Sequence, residues 1–331
     1  MKEEEILNIL KSSYNIDFKC IEKIKGSYKA CDSSNQCYCV KTVKYKFSHF
    51  KFILSAILHL KNRKFDAALD IIKTKDDQYF IKFLGKYAFL TKWIAARECN
   101  YQNTIELEKA CIKLSELHRC SENFSIDYSM TPRIGWFSWI NTFETRKNEI
   151  LDFQNRINQK ACKSEFDNLF LSCVYEEVER ANRSIVGLKN SEYIDIMKNE
   201  VTKKGFCHHD YANHNVLLDS NNNINIIDFD YCILDTRLHD LASLMIRTMK
   251  NGGWDIDKGR KIIEVYSREY KVLEEEIDVI KEFIRFPQSF WQIGLQKYWE
   301  QQSWKEEFFL KKLSKYVEDR KEREDFINKI F

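Results

Sequence analysis

The sequence predicts an α+β, bilobal protein: a small β-rich lobe followed by a large helical one. Three observations carry that expectation. A chain of 331 residues exceeds the roughly 100–200 residues of one typical domain. Strand-like alternation is confined mainly to the first ninety or so residues, and 3.6-residue periodicity dominates afterwards. Only 9 Gly and 2 Pro occur, which leaves few tight turns and favours long helices. The pattern changes near residues 90–94, which separates a β-rich part, 1–93, from a helical part, 94–331.

Taken in order, residues 3–11 have the spacing of a short amphipathic helix. Strand character follows at 18–24, at 36–43, and at the pair 79–83 and 87–93 around Gly85. A helix is expected between them at 50–61. Beyond Trp93, residues 104–118 place Leu107, Cys111, Leu114 and Leu117 on one helical face, and further helices are expected near 143–160, 165–182 and 191–203. Gly205 follows Lys203 and Lys204 as a helix C-terminal signal. A β-rich stretch then interrupts the helices, with short strands at 206–207, 216–218 and 224–227 and a turn at Asn221, Asn222 and Asn223. Helices resume at Arg237.

Composition limits the function classes. The 53 Lys and Arg against 50 Asp and Glu give a net charge of only +3, too little for bulk attraction to nucleic acid or a membrane, so neither is expected as a partner. The acidic start Met1-Lys2-Glu3-Glu4-Glu5 lacks the basic flank and apolar run of a signal peptide. Uncharged runs such as 52–60 and 134–143 fall short of the ~18 residues of a membrane span. Eleven cysteines occur without a Cys-x-x-Cys pair and are expected to be reduced thiols of a cytosolic protein.

The chemistry concentrates in His208-His209-Asp210-Tyr211-Ala212-Asn213-His214-Asn215 and Ile227-Asp228-Phe229-Asp230. Asp210 and Asn215 are separated by 215−210=5 and Asn215 and Asp228 by 228−215=13, with a turn between two apolar strands in the gap. Phosphoryl transfer needs an oriented acceptor hydroxyl and a metal on the phosphate oxygens, with little covalent work by the protein. A carboxylate at Asp210 can accept the hydroxyl proton. The amide oxygen of Asn215 and the carboxylate of Asp228 are hard ligands of the kind Mg²⁺ prefers. Asp230 either adds another metal oxygen or faces solvent. The aromatic stretch at 286–309 has the near-helical spacing of a core face, with an acceptor-pocket wall as the alternative.

These residues, with His239-Asp240-Leu241-Ala242, resemble the kinase-like fold of the aminoglycoside phosphotransferases and choline kinases. Within that fold the chain is most similar to the CotS family of spore coat proteins. The same resemblance extends to Lys92-Trp93-Ile94, Arg97-Glu98-Cys99, Leu114-Ser115-Glu116-Leu117-His118 and Phe286-Pro287-Gln288-Ser289-Phe290-Trp291. It implies a protein-kinase-like fold with ATP between the two lobes and Trp93 at the hinge. Lys41 becomes the strand lysine that contacts the α- and β-phosphates, and Asp210 the catalytic base. Asn215, Asp228 and Asp230 become the Mg²⁺ site, and His208 and Asp240 support the loop.

Two features depart from active kinases. No acid occurs between Asp32 and Asp66, so the helix at 50–61, with its polar line Lys51, Ser55 and His59, has no Glu to pair with Lys41. Lys41 is therefore expected to take its counter-charge from the nucleotide. Gly26 is also the only glycine before Gly85, so a glycine-rich phosphate loop is lacking, and His209 stands where the broader family has Gly. The resemblance implies a protein made in the mother cell and delivered to the spore coat, beside other coat proteins. One reading is an ATP-dependent phosphotransferase acting on the alcohol group of a small acceptor; the other is a catalytically degenerate scaffold for coat assembly.

Overall fold

A computed structural model describes residues 3–330. The chain divides into two units: one takes the residues up to Ile134 and then Lys204–Leu234, the other Gly135–Lys203 and the chain from Asp235. The hinge expected near 90–94 lies inside the first unit.

The first unit begins with α1 (Glu3–Ser13), whose first-turn acids and last-turn Lys11 complement the helix dipole. Then come β1 (Phe18–Ile24), β2 (Ser27–Asp32), β3 (Cys37–Val43), α2 (Phe47–Asn62), β4 (Ile71–Ile72), β5 (Ile81–Phe83) and β6 (Lys86–Lys92). They form an antiparallel sheet of order β1-β2-β3-β6-β4, with β5 also on β6. Tyr38 and Val40 of β3 join Ile6 and Leu10 of α1 in one apolar core. On the opposite face Phe50 of α2 stacks on Tyr87 at 5.5 Å and on Phe89 at 6.5 Å. Strand alternation puts Lys41 on this second face, and pairing of β3 with both β2 and β6 fixes its backbone on two sides.

A second sheet follows from β7 (Ala96–Glu98), which pairs with β8 (Val216–Asp219), itself paired with β9 (Ile224–Ile226). Between them in sequence lies α3 (Thr104–Ser121), opened by the Asn103 side chain accepting from the amides of Ile105 and Glu106.

The reduced state expected of all eleven cysteines does not hold. Cys31 and Cys37 are disulfide-bonded, because the β2–β3 register places them directly opposite with Cα atoms 4.1 Å apart. The other nine are free thiols.

The second unit is helical: α4 (Trp139–Asn158), α5 (Glu165–Asn190), α6 (Tyr193–Lys203), α7 (Leu238–Met249), α8 (Ile256–Ser267), α9 (Glu274–Arg285), α10 (Gln288–Gly294), a π-helical turn at Leu295–Trp299, α11 (Glu306–Glu318) and α12 (Arg320–Lys329). Its core joins Phe153, Phe166, Phe170, Phe290, Tyr298 and Phe309. Phe286 stacks on Phe143 at 3.9 Å and Phe290 on Phe170 at 4.2 Å, so the aromatic stretch serves mainly as core. Gly294 lets α10 approach α4 closely, since a Cβ there would stand 2.5 Å from the Phe153 ring. Asp240, on the first turn of α7, is fully buried beside His239. Among the described residues no helix is long and apolar enough to cross a membrane.

Candidate phosphotransfer site

Lys41, Asp210, Asn215, Asp228 and Asp230 all belong to the first unit. The loop that carries Asp210 is anchored by apolar and polar contacts on both sides. Tyr211 is fully buried and its hydroxyl donates to Ala110 O of α3 at 2.9 Å. Asn213 Nδ2 donates to Glu98 of β7 at 3.2 Å. His208, also fully buried, places Nε2 2.9 Å from Ile227 O, and Asp210 N donates to its Nδ1 at 3.3 Å. A carbonyl can only accept, so the proton sits on Nε2 and the ring bridges the two chain segments as a neutral imidazole. The supporting role expected for His208 is thereby given an atomic form.

His209 has φ 68°, in the left-handed region that glycine adopts most easily. His209 therefore carries backbone strain that glycine would not.

Asn215 is buried and its Nδ2 donates to Asp210 O at 2.9 Å and to Asp210 Oδ2 at 3.0 Å. Those bonds orient the Asp210 carboxylate, and Asn215 Oδ1 accepts from no described residue. Ile227 N donates to Asn215 O at 2.9 Å, which holds the residue before Asp228 against the loop. Asp228 itself has φ 62° and ψ 64° just before the turn Phe229–Tyr231. This left-handed backbone carries Asp228 and Asp230 to one cation: Lys41 Nζ lies 2.9 Å from Asp228 Oδ1 and 3.3 Å from Asp230 Oδ2.

The electrostatics follow from that cluster. Burial alone pushes the Lys41 ammonium down, but Asp230 and Asp228 more than offset it, so its pKa is raised. Burial pushes the Asp230 carboxyl up and Asp228 adds to this; Lys41 only partly reverses it. Two carboxylates and a free amide oxygen make a hard, anionic donor set that fits Mg²⁺, and a divalent cation would relieve the repulsion between the two acids.

The counter-charge expected from the nucleotide is therefore already supplied by Asp228 and Asp230. The missing helix acid has a structural reason too, because the polar residues of α2 are engaged elsewhere. Lys51 pairs with Asp127 at 3.0 Å, His49 Nδ1 contacts Thr131 O at 3.0 Å, and His59 Nε2 contacts Glu122 O at 3.1 Å. Trp93 stands at the end of β6; its amide donates to Cys37 O at 2.9 Å and Lys29 Nζ lies 5.1 Å from its ring. Its described contacts are thus with β2 and β3 and not with the acid cluster.

Sequence reasoning missed Arg133. Its guanidinium lies 5.1 Å from the Tyr45 ring and 5.5 Å from the Tyr231 ring, and its charge also draws the Asp230 carboxyl down. The β-bridge of its neighbour Ile134 to Leu234 and the bond from Leu234 N to Arg133 O at 3.0 Å hold it here, long-range pairings without a local signal.

Comparison with known proteins addresses the fold and the family. No curated protein sequence matches the chain. Among solved structures, an aminoglycoside phosphotransferase from Alicyclobacillus acidocaldarius subsp. acidocaldarius DSM 446 superposes with a TM-score of 0.86 at 18% identity, covering 98% of this chain and 94% of that one. Spectinomycin phosphotransferase APH(9)-Ia, in complex with ADP and spectinomycin, gives 0.70 at 17% identity over 100% and 98%. Amicoumacin kinase hAmiN, in complex with AMP-PNP, Ca²⁺ and Ami, gives 0.64 at 11% identity over 99% and 94%. At these identities the likeness shows the fold alone, which is the bilobal kinase-like fold expected from the sequence. The model of the family described as "Spore coat putative kinase YutH" matches residues 7–330, so the chain belongs to this family of kinase-like spore coat proteins.

Proposed function

We propose that the protein binds ATP with Mg²⁺ and transfers the γ-phosphoryl group to the hydroxyl of a small acceptor. The observation that carries this reading is the convergence of Lys41, Asp228 and Asp230, with Lys41 Nζ within 3.3 Å of both acids. Solved relatives of the fold in complex with ADP and AMP-PNP support nucleotide as the ligand class.

In this reading Lys41 exchanges part of its carboxylate pairing for the α- and β-phosphates. Asn215 Oδ1, Asp228 and Asp230 would hold Mg²⁺, which supplies neutralisation of phosphate charge. Asp210, oriented by Asn215 Nδ2 at 3.0 Å, accepts the acceptor hydroxyl proton. Trp93 borders the adenine side. The acidic pair takes the place of a helix Glu as the partner that positions Lys41. Membership of the family supports a place in the spore coat, following synthesis in the mother cell. The absence of a glycine-rich phosphate loop, with Gly26 alone before Gly85, favours the second reading, a nucleotide-binding scaffold for coat assembly without turnover.

The discriminating experiment follows Mg²⁺-dependent phosphate transfer from labelled ATP to a panel of hydroxyl-bearing small molecules. The phosphotransferase reading predicts a labelled product, lost about 10²–10⁴-fold in Asp210→Asn while nucleotide affinity is kept. Full transfer by Asp210→Asn would remove Asp210 as the base, and binding without transfer across the panel favours the scaffold.

A further inference from the structure

The second unit contains a cavity of about 310 Å³ that includes none of the residues discussed above as the phosphotransfer site. The ends of α7, α9, α10, α11 and α12 and the segment after α7 supply its lining.

Its charge balance is one-sided. Lys250, Lys312, Lys315 and Arg323 line it against a single acid, Asp319. That acid is already committed. Asp319 Oδ2 accepts from Asn251 N and Trp254 Nε1, each at 2.9 Å, and Oδ1 accepts from Arg323 Nη1 at 2.9 Å. Arg323 is 6% exposed, its guanidinium lies 4.3 Å from the Tyr316 ring, and its Nη2 is buried without a hydrogen-bond partner. A buried charged donor left unmatched is costly, and an anion in the cavity would supply the missing acceptor.

The lysines point the same way. Lys312 Nζ donates to the neutral Gln296 amide at 2.9 Å, and neither Lys250 nor Lys315 forms an ion pair with a described residue. Burial, then Arg247 and Lys312, push the Lys250 ammonium down, and burial does the same to Lys312. For Lys250 burial comes first and the neighbouring cations add to it, whereas for Lys312 burial acts alone; neither ammonium has a carboxylate to offset it. A total charge of only +3 makes such a concentration a local feature of this chain.

We infer that this cavity is an anion site for the phosphoryl group of a small molecule. Arg323, Lys250 and Lys315 take the phosphoryl oxygens, and the guanidinium donates from a position fixed by Asp319 and Tyr316. The volume is at the small end of ligand pockets, enough for a phosphoryl group and a few attached heavy atoms. Gln288, also in the lining, offers an amide to a hydroxyl of the attached group.

The test is calorimetric titration of the full chain with inorganic phosphate and with glycerol 3-phosphate, against glycerol and against chloride at matched ionic strength. Both phosphates should bind saturably, one per chain, and glycerol should not bind. Affinity should persist in Lys41→Met, which removes the phosphate-contacting lysine of the first unit. It should fall at least about tenfold in Lys250→Met/Lys315→Met, which removes no ion pair among the described residues and keeps the apolar stems of both side chains. Arg323→Gln should behave likewise if it folds. Absence of saturable phosphate binding, unchanged affinity in the double lysine variant, or loss in Lys41→Met would each overturn the inference.

Discussion

Replacing Lys41 by Met removes the one cation shared by Asp228 and Asp230, and its cost can be worked from the geometry. At the 3.3 Å separation from Asp230, a unit charge pair is worth about 5 kcal/mol at an effective dielectric of about 20. Side chains of Lys41 and Asp230 are 20% and 21% exposed, so solvent screening and side-chain entropy reduce this to a net cost of about 2–3 kcal/mol. The loss should also depend on pH. The Asp230 carboxyl is already raised above its ordinary 3.8, and without Lys41 it rises further. A carboxyl raised in the folded state contributes stability that is complete below its unfolded pKa and lost as pH rises through the folded one. Denaturant unfolding of wild type and Lys41→Met at pH 4.5 and pH 8 should therefore show a small difference at the lower pH and the full difference at the higher. Equal differences at both pH values, or less than about 0.5 kcal/mol at pH 8, would refute the shared-cation argument.

Two further expectations concern the second unit. Asp235 is buried, accepts from Trp139 Nε1 at 3.2 Å and from Thr236 N at 2.8 Å, and burial pushes its carboxyl up to about 6. Its contribution is complete below pH 3.8 and lost by about pH 6, so wild type should lose about 3 kcal/mol relative to Asp235→Asn across that window; parallel stability curves would contradict this. Glu276 receives Arg237 Nη2 at 2.8 Å on both oxygens, and both residues are buried. Glu276→Gln strands the guanidinium and should cost about 3 kcal/mol with an unchanged m-value in urea; a loss below 1 kcal/mol would show that Arg237 finds another counter-charge.

Much of the fold was legible where local signals suffice. Strand β1 falls on the expected residues 18–24, and α3 starts at the expected Thr104 because Asn103 caps it. Helix α5 begins at the expected 165, where Ser164 and Asp167 form a capping box, but runs on to Asn190. Strand β2 was not legible: Ala30 is its only fully buried residue, so no clean alternation announces it. The three residues of β7 have no buried member and exist through pairing with β8. At the candidate site, residue types and spacing single out Asp210, Asn215 and Asp228 as candidates, and the structure brings Asn215 onto Asp210 and Asp228 onto Lys41. The pairing of Lys41 with Asp228 spans 187 positions and had no local trace, so the absent helix acid suggested an unpaired lysine. The Cys31–Cys37 bond was hidden for the same reason, because it depends on the register of the unread strand β2.

The central claim is that Asp228 belongs to a Mg²⁺–nucleotide site. Thermal unfolding of wild type and Asp228→Ala with ATP, with and without Mg²⁺, tests it most directly. Wild type should rise by a few degrees with ATP and Mg²⁺ together and much less with ATP alone, and Asp228→Ala should show no Mg²⁺-dependent rise. Equal Mg²⁺-dependent shifts in the two proteins would contradict the account.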